Sequence, residues 1–342
     1  MIFPCPDIPE RSGKPRGRLA PSPTGLLHLG NAWSFWAAWL HARARGGELV
    51  LRLEDIDPAR AKAEYAEGIV RDLSWLGLDW DYGPGSRGGA GDGGSFRQSR
   101  RGEVYEAALS ALRRRGLLYP CYCTRKELRE IAGAPHVDDA GAPYPGLCRN
   151  LSPEERAARE AAGRRPSLRL ACPPEDVWEF YDRVAGPQRM TLAQCGGDFA
   201  LRRSDGVYAY HLAVVVDDIA MGVTQVVRGN DILPSTPRQL YLYSLFGAAV
   251  PEYAHLPLVT DGNGERLAKR HASLTLAALR EAGVRPETVL GWLAAASGLR
   301  EAFAPLHAAE ALEAFAARGV RVGELRLPAD PVVCFLKEQR GR

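Results

Sequence analysis

Short apolar runs alternate with helical spacing over the first eighty residues. Residues 18–21 predict a short strand, which ends in the turn Pro21-Ser22-Pro23-Thr24-Gly25. Trp33, Trp36, Trp39 and Leu40 then recur at the spacing of a helix, and Gly46-Gly47 stops it. A second apolar run, Leu49-Val50-Leu51-Arg52-Leu53, predicts a strand leading into the acidic turn Glu54-Asp55-Ile56-Asp57-Pro58. Strand, helix and strand at this spacing form a βαβ unit, which predicts a parallel sheet with a right-handed crossover. Further helices are predicted over 64–77 and 103–116, and a short, very polar one over 152–164. Residues 166–206 read as broken strands. The apolar, β-branched runs 208–216 and 224–227 predict buried strands. A helix carrying Tyr241, Leu242 and Leu245 precedes Gly247, a strand is predicted over 256–259, and Asp261-Gly262-Asn263-Gly264 makes a tight turn. Alanine-rich helices dominate from 274 to 317, and no internal repeat is present.

Two segments have no such pattern. Residues 1–17 are rich in proline, glycine and charge and read as a flexible leader. Residues 83–95 are glycine-rich, cannot bury apolar surface and read as a mobile surface loop. The 342 residues are 46% hydrophobic and 25% charged, enough for a large core plus a smaller module. A formal charge of +3 neither requires nor excludes nucleic acid. No apolar signal core and no stretch of about 20 apolar residues is present, which argues against a membrane span and for the cytoplasm. Of seven cysteines, Cys5, Cys172, Cys195 and Cys334 stand alone, while Cys121, Cys123 and Cys148 cluster. In a long chain without a secretion signal the cluster points to metal more than to disulfides. Three thiolates suit tetrahedral zinc; His136 is the usual type of fourth ligand, and three buried free thiols are the plainer alternative.

Two segments carry nucleotide chemistry. Residues 23–31 lie at a strand-to-helix junction, where the carboxyl ends of parallel strands bind ligands and a helix N-terminus favours phosphate. Gly25 and Gly30 allow close approach, and His28 can donate to a phosphate or ribose oxygen. Taken alone, this is equally a turn with a capping histidine. The second segment, Asp261-Gly-Asn-Gly-Glu265-Arg266-Leu267-Ala268-Lys269-Arg270-His271, follows a glycine turn with dense positive charge, as nucleotidyl transfer needs. Its plainer reading is a solvated basic loop.

The order of segments resembles one family. Arg18-Leu-Ala-Pro-Ser22-Pro-Thr-Gly25 with His28-Leu-Gly-Asn31 is similar to the start of class I glutamyl-tRNA synthetases and their "HIGH" element. Leu51-Arg-Leu-Glu54-Asp-Ile-Asp57 resembles the family's acidic motif. Tyr210-His-Leu-Ala, Val215-Val-Asp-Asp218, Met221-Gly-Val-Thr-Gln-Val-Val-Arg228-Gly and Ser235-Thr-Pro-Arg-Gln-Leu-Tyr241 resemble its second half. His255-Leu-Pro-Leu leads into Arg266-Leu-Ala-Lys269-Arg, where the "KMSKS" loop falls; Arg266 replaces its first lysine and Ala268 its serine.

The resemblance implies an α/β fold: a Rossmann-like parallel-sheet catalytic domain in two halves, 18–118 and 207–275. It further implies an inserted zinc-containing acceptor-binding subdomain over 119–206 and a short helical C-terminal part over 276–342. It implies that Arg18, Leu19, Ala20, Pro21, Ser22, Glu54, Tyr210 and Arg228 bind glutamate, the arginines and Tyr210 on its side-chain carboxylate and Glu54 on its ammonium. Thr24, His28, Gly30, Asn31, Arg266 and Lys269 would bind ATP with Mg²⁺, with His28 and Lys269 catalytic. For zinc it implies Cys121, Cys123, Tyr144 and Cys148, in a closed structural site. Tyr144 with Cys148, Val214 where an asparagine is usual, and the short chain after Arg270 match the glutamyl-queuosine tRNA(Asp) synthetase branch. That branch activates L-glutamate without tRNA and attaches it to queuosine in the anticodon loop of tRNA(Asp); a monomer is expected. A shortened glutamyl-tRNA synthetase charging the tRNA 3′ end, a non-catalytic tRNA-binding paralogue and a nucleotidyltransferase for another acid remain as alternatives.

Overall fold

The structure is a computed structural model that describes residues 3, 5, 7–8, 13–86, 94–124, 126–128, 144–262, 264–265, 274–319, 323 and 325–340. Strand β1 (Arg16–Leu19), helix α1 (Leu29–Arg43) and strand β2 (Glu48–Leu51) make the predicted βαβ unit, with β1 and β2 parallel and Arg16 opposite Glu48. Trp33 and Trp36 are buried almost completely, and the Trp33 indole N–H donates to Pro257 O at 2.9 Å. Truncating either ring would cost about 3–5 kcal/mol. Amphipathic α2 (Ala63–Trp75) and α3 (Gly102–Arg114) follow. Between them Gly83 has φ +123°, and a Cβ there would sit 2.2 Å from Leu51 O, so only glycine fits beside β2.

Strand β3 (Leu118–Cys121) leads to α4 (Pro153–Ala161), which buries no residue and is held by a Ser152–Glu155 capping box. The 166–206 region resolves into β4 (Ser167–Leu170), β5 (Val177–Asp182), β6 (Gly186–Thr191) and β7 (Phe199–Arg202). Antiparallel β3–β4–β7 is one sheet; β5 and β6 form a hairpin. Helix α5 (Tyr210–Ala220) stands where the apolar run 208–216 predicted a strand. The helix is buried from His211 to Asp218, so it has no exposed polar face from which a period can be read.

Strand β8 (Gln225–Gly229) runs along β1, with Thr224 N–H donating to Arg16 O at 2.8 Å. Helix α6 (Thr236–Phe246) stops at Gly247, φ +66°. Strand β9 (Glu252–Leu256) pairs parallel with β8 and, at Tyr253 opposite Asp182, with β5. The 256–259 strand is displaced: β9 ends at Leu256, and β10 (Val259–Thr260) begins beyond the Pro257 interruption. Helices α7 (Leu276–Glu281), α8 (Pro286–Ala296) and α9 (Ala311–Arg318) follow, then β11 (Leu325–Arg326), which pairs with β10, and α10 (Pro331–Gln339). In its described residues the C-terminal part is therefore helical with one strand inserted. The architecture is α/β with mixed sheets.

The 1–17 segment is not a free leader in its described residues. The Phe3 ring packs edge-on against Phe246 at 5.1 Å, Cys5 is buried, and Arg16 already belongs to β1, paired with Glu48 at 2.7 Å. An aromatic anchor and a paired arginine outweigh the proline and glycine around them. Of the glycine-rich loop, 87–93 lie outside the described residues. Among the described residues no helix is long and apolar enough to cross a membrane.

Candidate active site

Arg18 and Arg228 reach the same interior from neighbouring strands, β1 and β8, and Arg18 Nη1 donates to Val227 O at 3.1 Å. Arg228 donates from Nη1 to Gln239 Oε1 (2.7 Å), from Nη2 to Thr236 Oγ1 (3.0 Å) and from Nε to His255 Nε2 (2.9 Å). All three partners are uncharged acceptors or neutral rings, and no described carboxylate lies within ion-pair distance of Arg228, which is only 5% exposed. Three of its five donors are used, leaving one N–H on each Nη. Tyr210, at the start of α5, completes the group. Burial pushes its hydroxyl up, Arg228 and Arg18 pull it down, and Glu54 and Asp218 add to the rise.

Glu54 follows β2, tied back by its N–H to Pro21 O at 2.9 Å. Burial pushes its carboxyl up against the pull of Arg52 and Arg18. Beneath it, Arg52 is fully buried and donates to Asp218 Oδ1 (2.6 Å) and Glu54 Oε1 (3.1 Å), with Asp217 Oδ2 at 3.8 Å from Nε. Asp217 in turn accepts from Arg101 Nε, Gln98 Nε2 and the Tyr105 hydroxyl. Leu19 is buried at the end of β1. Ala20, Pro21 and Ser22 follow it, with Ser22 exposed and its carbonyl accepting from Thr24 N–H at 2.8 Å.

His28 is the N-cap of α1. Its Nδ1 accepts from Gly30 N–H at 3.1 Å, and its own N–H donates to Asn31 Oδ1 at 3.0 Å. The capping reading of this histidine is thus correct. It also assigns the ring proton to Nε2, because Nδ1 is occupied as an acceptor. His28 forms a bridge with Thr275, and Leu276 N–H donates to Leu27 O at 2.8 Å, so the chain after the basic segment is fixed beside the α1 N-terminus. Arg266 and Lys269 lie outside the described residues.

The thiols converge elsewhere, at the end of β3. The Sγ atoms of Cys121, Cys123 and Cys148 lie within 4.8 Å of one another, Cys123 and Cys148 at 3.6 Å. The Tyr144 hydroxyl oxygen accepts from Cys148 N–H at 2.9 Å and from the Cys121 thiol at 3.2 Å, with Cys123 Sγ at 3.9 Å. A tetrahedral ion bound at about 2.3 Å needs sulfurs about 3.8 Å apart, so the donor set fits zinc. Burial pushes Cys121 up, but Tyr144 and Arg169, whose guanidinium lies 3.9 Å over the Tyr144 ring, bring it below the usual thiol value. Burial pushes Cys123 up to about 12, helped by the charge of Cys121. His136 lies outside the described residues.

Residues 14–310 match the family described as tRNA synthetases class I (E and Q), catalytic domain. The glutamyl-Q tRNA(Asp) synthetase of Nitratidesulfovibrio vulgaris is 61% identical over 290 residues, covering 85% of this chain and 88% of that protein. The chain belongs to the glutamyl-Q tRNA(Asp) synthetase family. That of Symbiobacterium thermophilum is 51% identical over 320 residues, 93% of this chain and 98% of the relative. Among solved structures, a glutamate tRNA ligase from Elizabethkingia meningosepticum in complex with its amino acid is similar at TM-score 0.76 and 28% identity, covering 94% of this chain and 68% of that one. The chain is therefore an aminoacyl-tRNA synthetase-like ligase.

Several residues around the pocket were given no role in the sequence analysis: Arg52, Asp217, Asp218, Thr236, Gln239, Asp182 and His255. Six of them sat inside quoted motifs, Arg52 two residues before Glu54 and the aspartate pair on α5, and only Asp182 lay outside. Their signal was charge or polarity within otherwise apolar runs, which in a core demands a partner. Val214, one turn beyond Tyr210, is buried in apolar surroundings that suit it.

Proposed function

We propose that this enzyme activates L-glutamate with ATP, without tRNA, and transfers it to the queuosine base in the anticodon loop of tRNA(Asp). The observation that carries the amino-acid assignment is Arg228, a buried guanidinium whose described partners are all neutral. A buried cation is costly unless paired, so the pocket favours an anionic side chain. Arg228 and Arg18 would take that carboxylate with Tyr210, Glu54 the ammonium, and Ser22 with the backbone of 19–21 the main-chain end. An α-carboxylate oxygen attacks the α-phosphorus of ATP in line, forming the acyl–phosphate bond as the bond to pyrophosphate breaks. His28 with Gly30, Asn31 and Thr24 at the α1 N-terminus, and Arg266 with Lys269 beyond, would hold the phosphates, and Mg²⁺ arrives with the ATP. A hydroxyl of the queuosine cyclopentenediol then attacks the adenylate carbonyl and AMP leaves. Positioning and preorganised charge suffice for both steps.

ATP–pyrophosphate exchange with a panel of amino acids, without tRNA, tests this. Exchange with glutamate alone is expected, followed by transfer to tRNA(Asp) that carries queuosine and not to tRNA(Asp) lacking it. Exchange that requires tRNA, or that proceeds with another acid, overturns the proposal. Cys121, Cys123, Tyr144 and Cys148 would hold one zinc, which closes the segment between β3 and β4. Elemental analysis should find one zinc per chain, and its absence from fully active protein would remove the metal.

A further inference from the structure

Arg228 is not held by chance contacts. Its Nε–H points to His255 Nε2 at 2.9 Å, and the other ring nitrogen, Nδ1, lies 2.6 Å from Asp182 Oδ2. An arginine Nε–H can only donate, so Nε2 must present a lone pair. An aspartate oxygen accepts, so Nδ1 carries the proton. The ring is then neutral, in one tautomer, with both nitrogens committed. Burial pushes its pKa down, against the pull of Asp182, in keeping with a neutral ring. His255 is 1% exposed and lies flat on Tyr253 at 5.8 Å, the same ring that sits 5.2 Å beneath the Arg228 guanidinium. Asp182 is equally fixed: its Oδ1 accepts the backbone N–H groups of Val184 (3.0 Å) and Ala185 (2.8 Å), and both oxygens accept His255 N–H at 3.1 Å.

We propose that Asp182 and His255 are positioning residues for amino-acid selectivity: the aspartate on the β5–β6 hairpin sets the histidine tautomer, and the histidine aims the Arg228 fork at the substrate's side-chain carboxylate. This rests on the reading of Arg228 given above. Neither residue touches the substrate. Their effect is on the angle of the guanidinium, and so on the discrimination between a carboxylate and an uncharged amide.

Asp182→Asn is the sharpest probe. An asparagine keeps an oxygen for the backbone N–H groups but presents an NH₂ to Nδ1. The ring must then carry its proton on Nε2, where it meets Arg228 Nε–H donor to donor. In tRNA-free pyrophosphate exchange, Asp182→Asn should raise the glutamate KM about tenfold to a hundredfold. The ATP KM should stay within about twofold, and the preference for glutamate over glutamine should fall. His255→Gln keeps one donor and one acceptor on a planar group and should lose less than His255→Ala; this pair carries the test if the aspartate variant does not fold. Arg228→Lys is the control. If it leaves the glutamate KM unmoved, the reading of the pocket falls and this inference with it. If it raises that KM while Asp182→Asn and His255→Gln do not, or if those two raise the ATP and glutamate KM equally, the positioning role alone is overturned.

Discussion

Two buried arginines in this chain meet opposite surroundings. Arg52 is enclosed by Asp218, Glu54 and Asp217, and although burial alone would lower its pKa, these carboxylates raise it well above the usual value. Arg228 is almost as deep and has Gln239, Thr236 and His255 instead. The first site is electrostatically closed by the fold itself. The second keeps a cation whose counter-charge must come from outside. Equal burial of the same side chain thus has two meanings, decided by whether the chain supplies the anion.

The largest expected effect tests the closed site. Arg52→Met leaves Asp218 and Glu54 without their nearest cation and should destabilise the fold by about 3–5 kcal/mol in urea unfolding. Arg228→Met breaks hydrogen bonds to uncharged partners, leaves no buried charge behind and should cost less, about 1–2 kcal/mol. Equal losses would erase the distinction. Next comes the open site. Glutamate at a hundred times its Kd should stabilise the native enzyme by about 2.7 kcal/mol, and most of that should vanish in Arg228→Lys at the same concentration, read as a shift in the urea midpoint.

The support of the open site should resist acid down to low pH. Burial alone would raise the Asp182 carboxyl, but the His255 ring and the N–H groups of Ala185, His255 and Val184 hold it at about 2. That is below the unfolded value of about 3.9. Its stabilisation, about 2 kcal/mol, is therefore complete above about pH 4 and is lost as the pH falls through about 2. Asp182→Asn should flatten that acid limb in unfolding measured across the window. The smallest effect belongs to Tyr210→Phe, which should weaken glutamate by about 1.5 kcal/mol, one hydrogen bond to a charged group, in the exchange KM.

What the sequence disclosed follows the range of each interaction. The βαβ start was legible because its signals are local: tryptophans at helical spacing, a double glycine, and an apolar strand. The thiol cluster was legible for the same reason, since Cys121 and Cys123 are two residues apart. Helix α5 was misread because a core helix of Leu212, Ala213 and three consecutive valines has no wet face. Phe3 was lost among prolines, although its partner Phe246 lies on a helix that was foreseen. Asp182 and His255 are 73 positions apart, and only the pairing of β5 with β9 makes them neighbours. The roles proposed for Arg266 and Lys269 rest on resemblance, because their segment lies outside the described residues.

The β5–β6 hairpin imposes a parity rule on the enzyme's history. Tyr181 is 63% exposed while Asp182, the next residue on β5, is wholly buried. Side chains along a strand alternate between faces, so one residue added to or removed from β5 ahead of this pair would turn the tyrosine inward and the carboxylate out to water. Two residues would leave both where they are. Lineages that lengthen or shorten this strand while keeping the Arg228 pocket should do so in even steps, and an odd step should be accompanied by a bulge that restores the count.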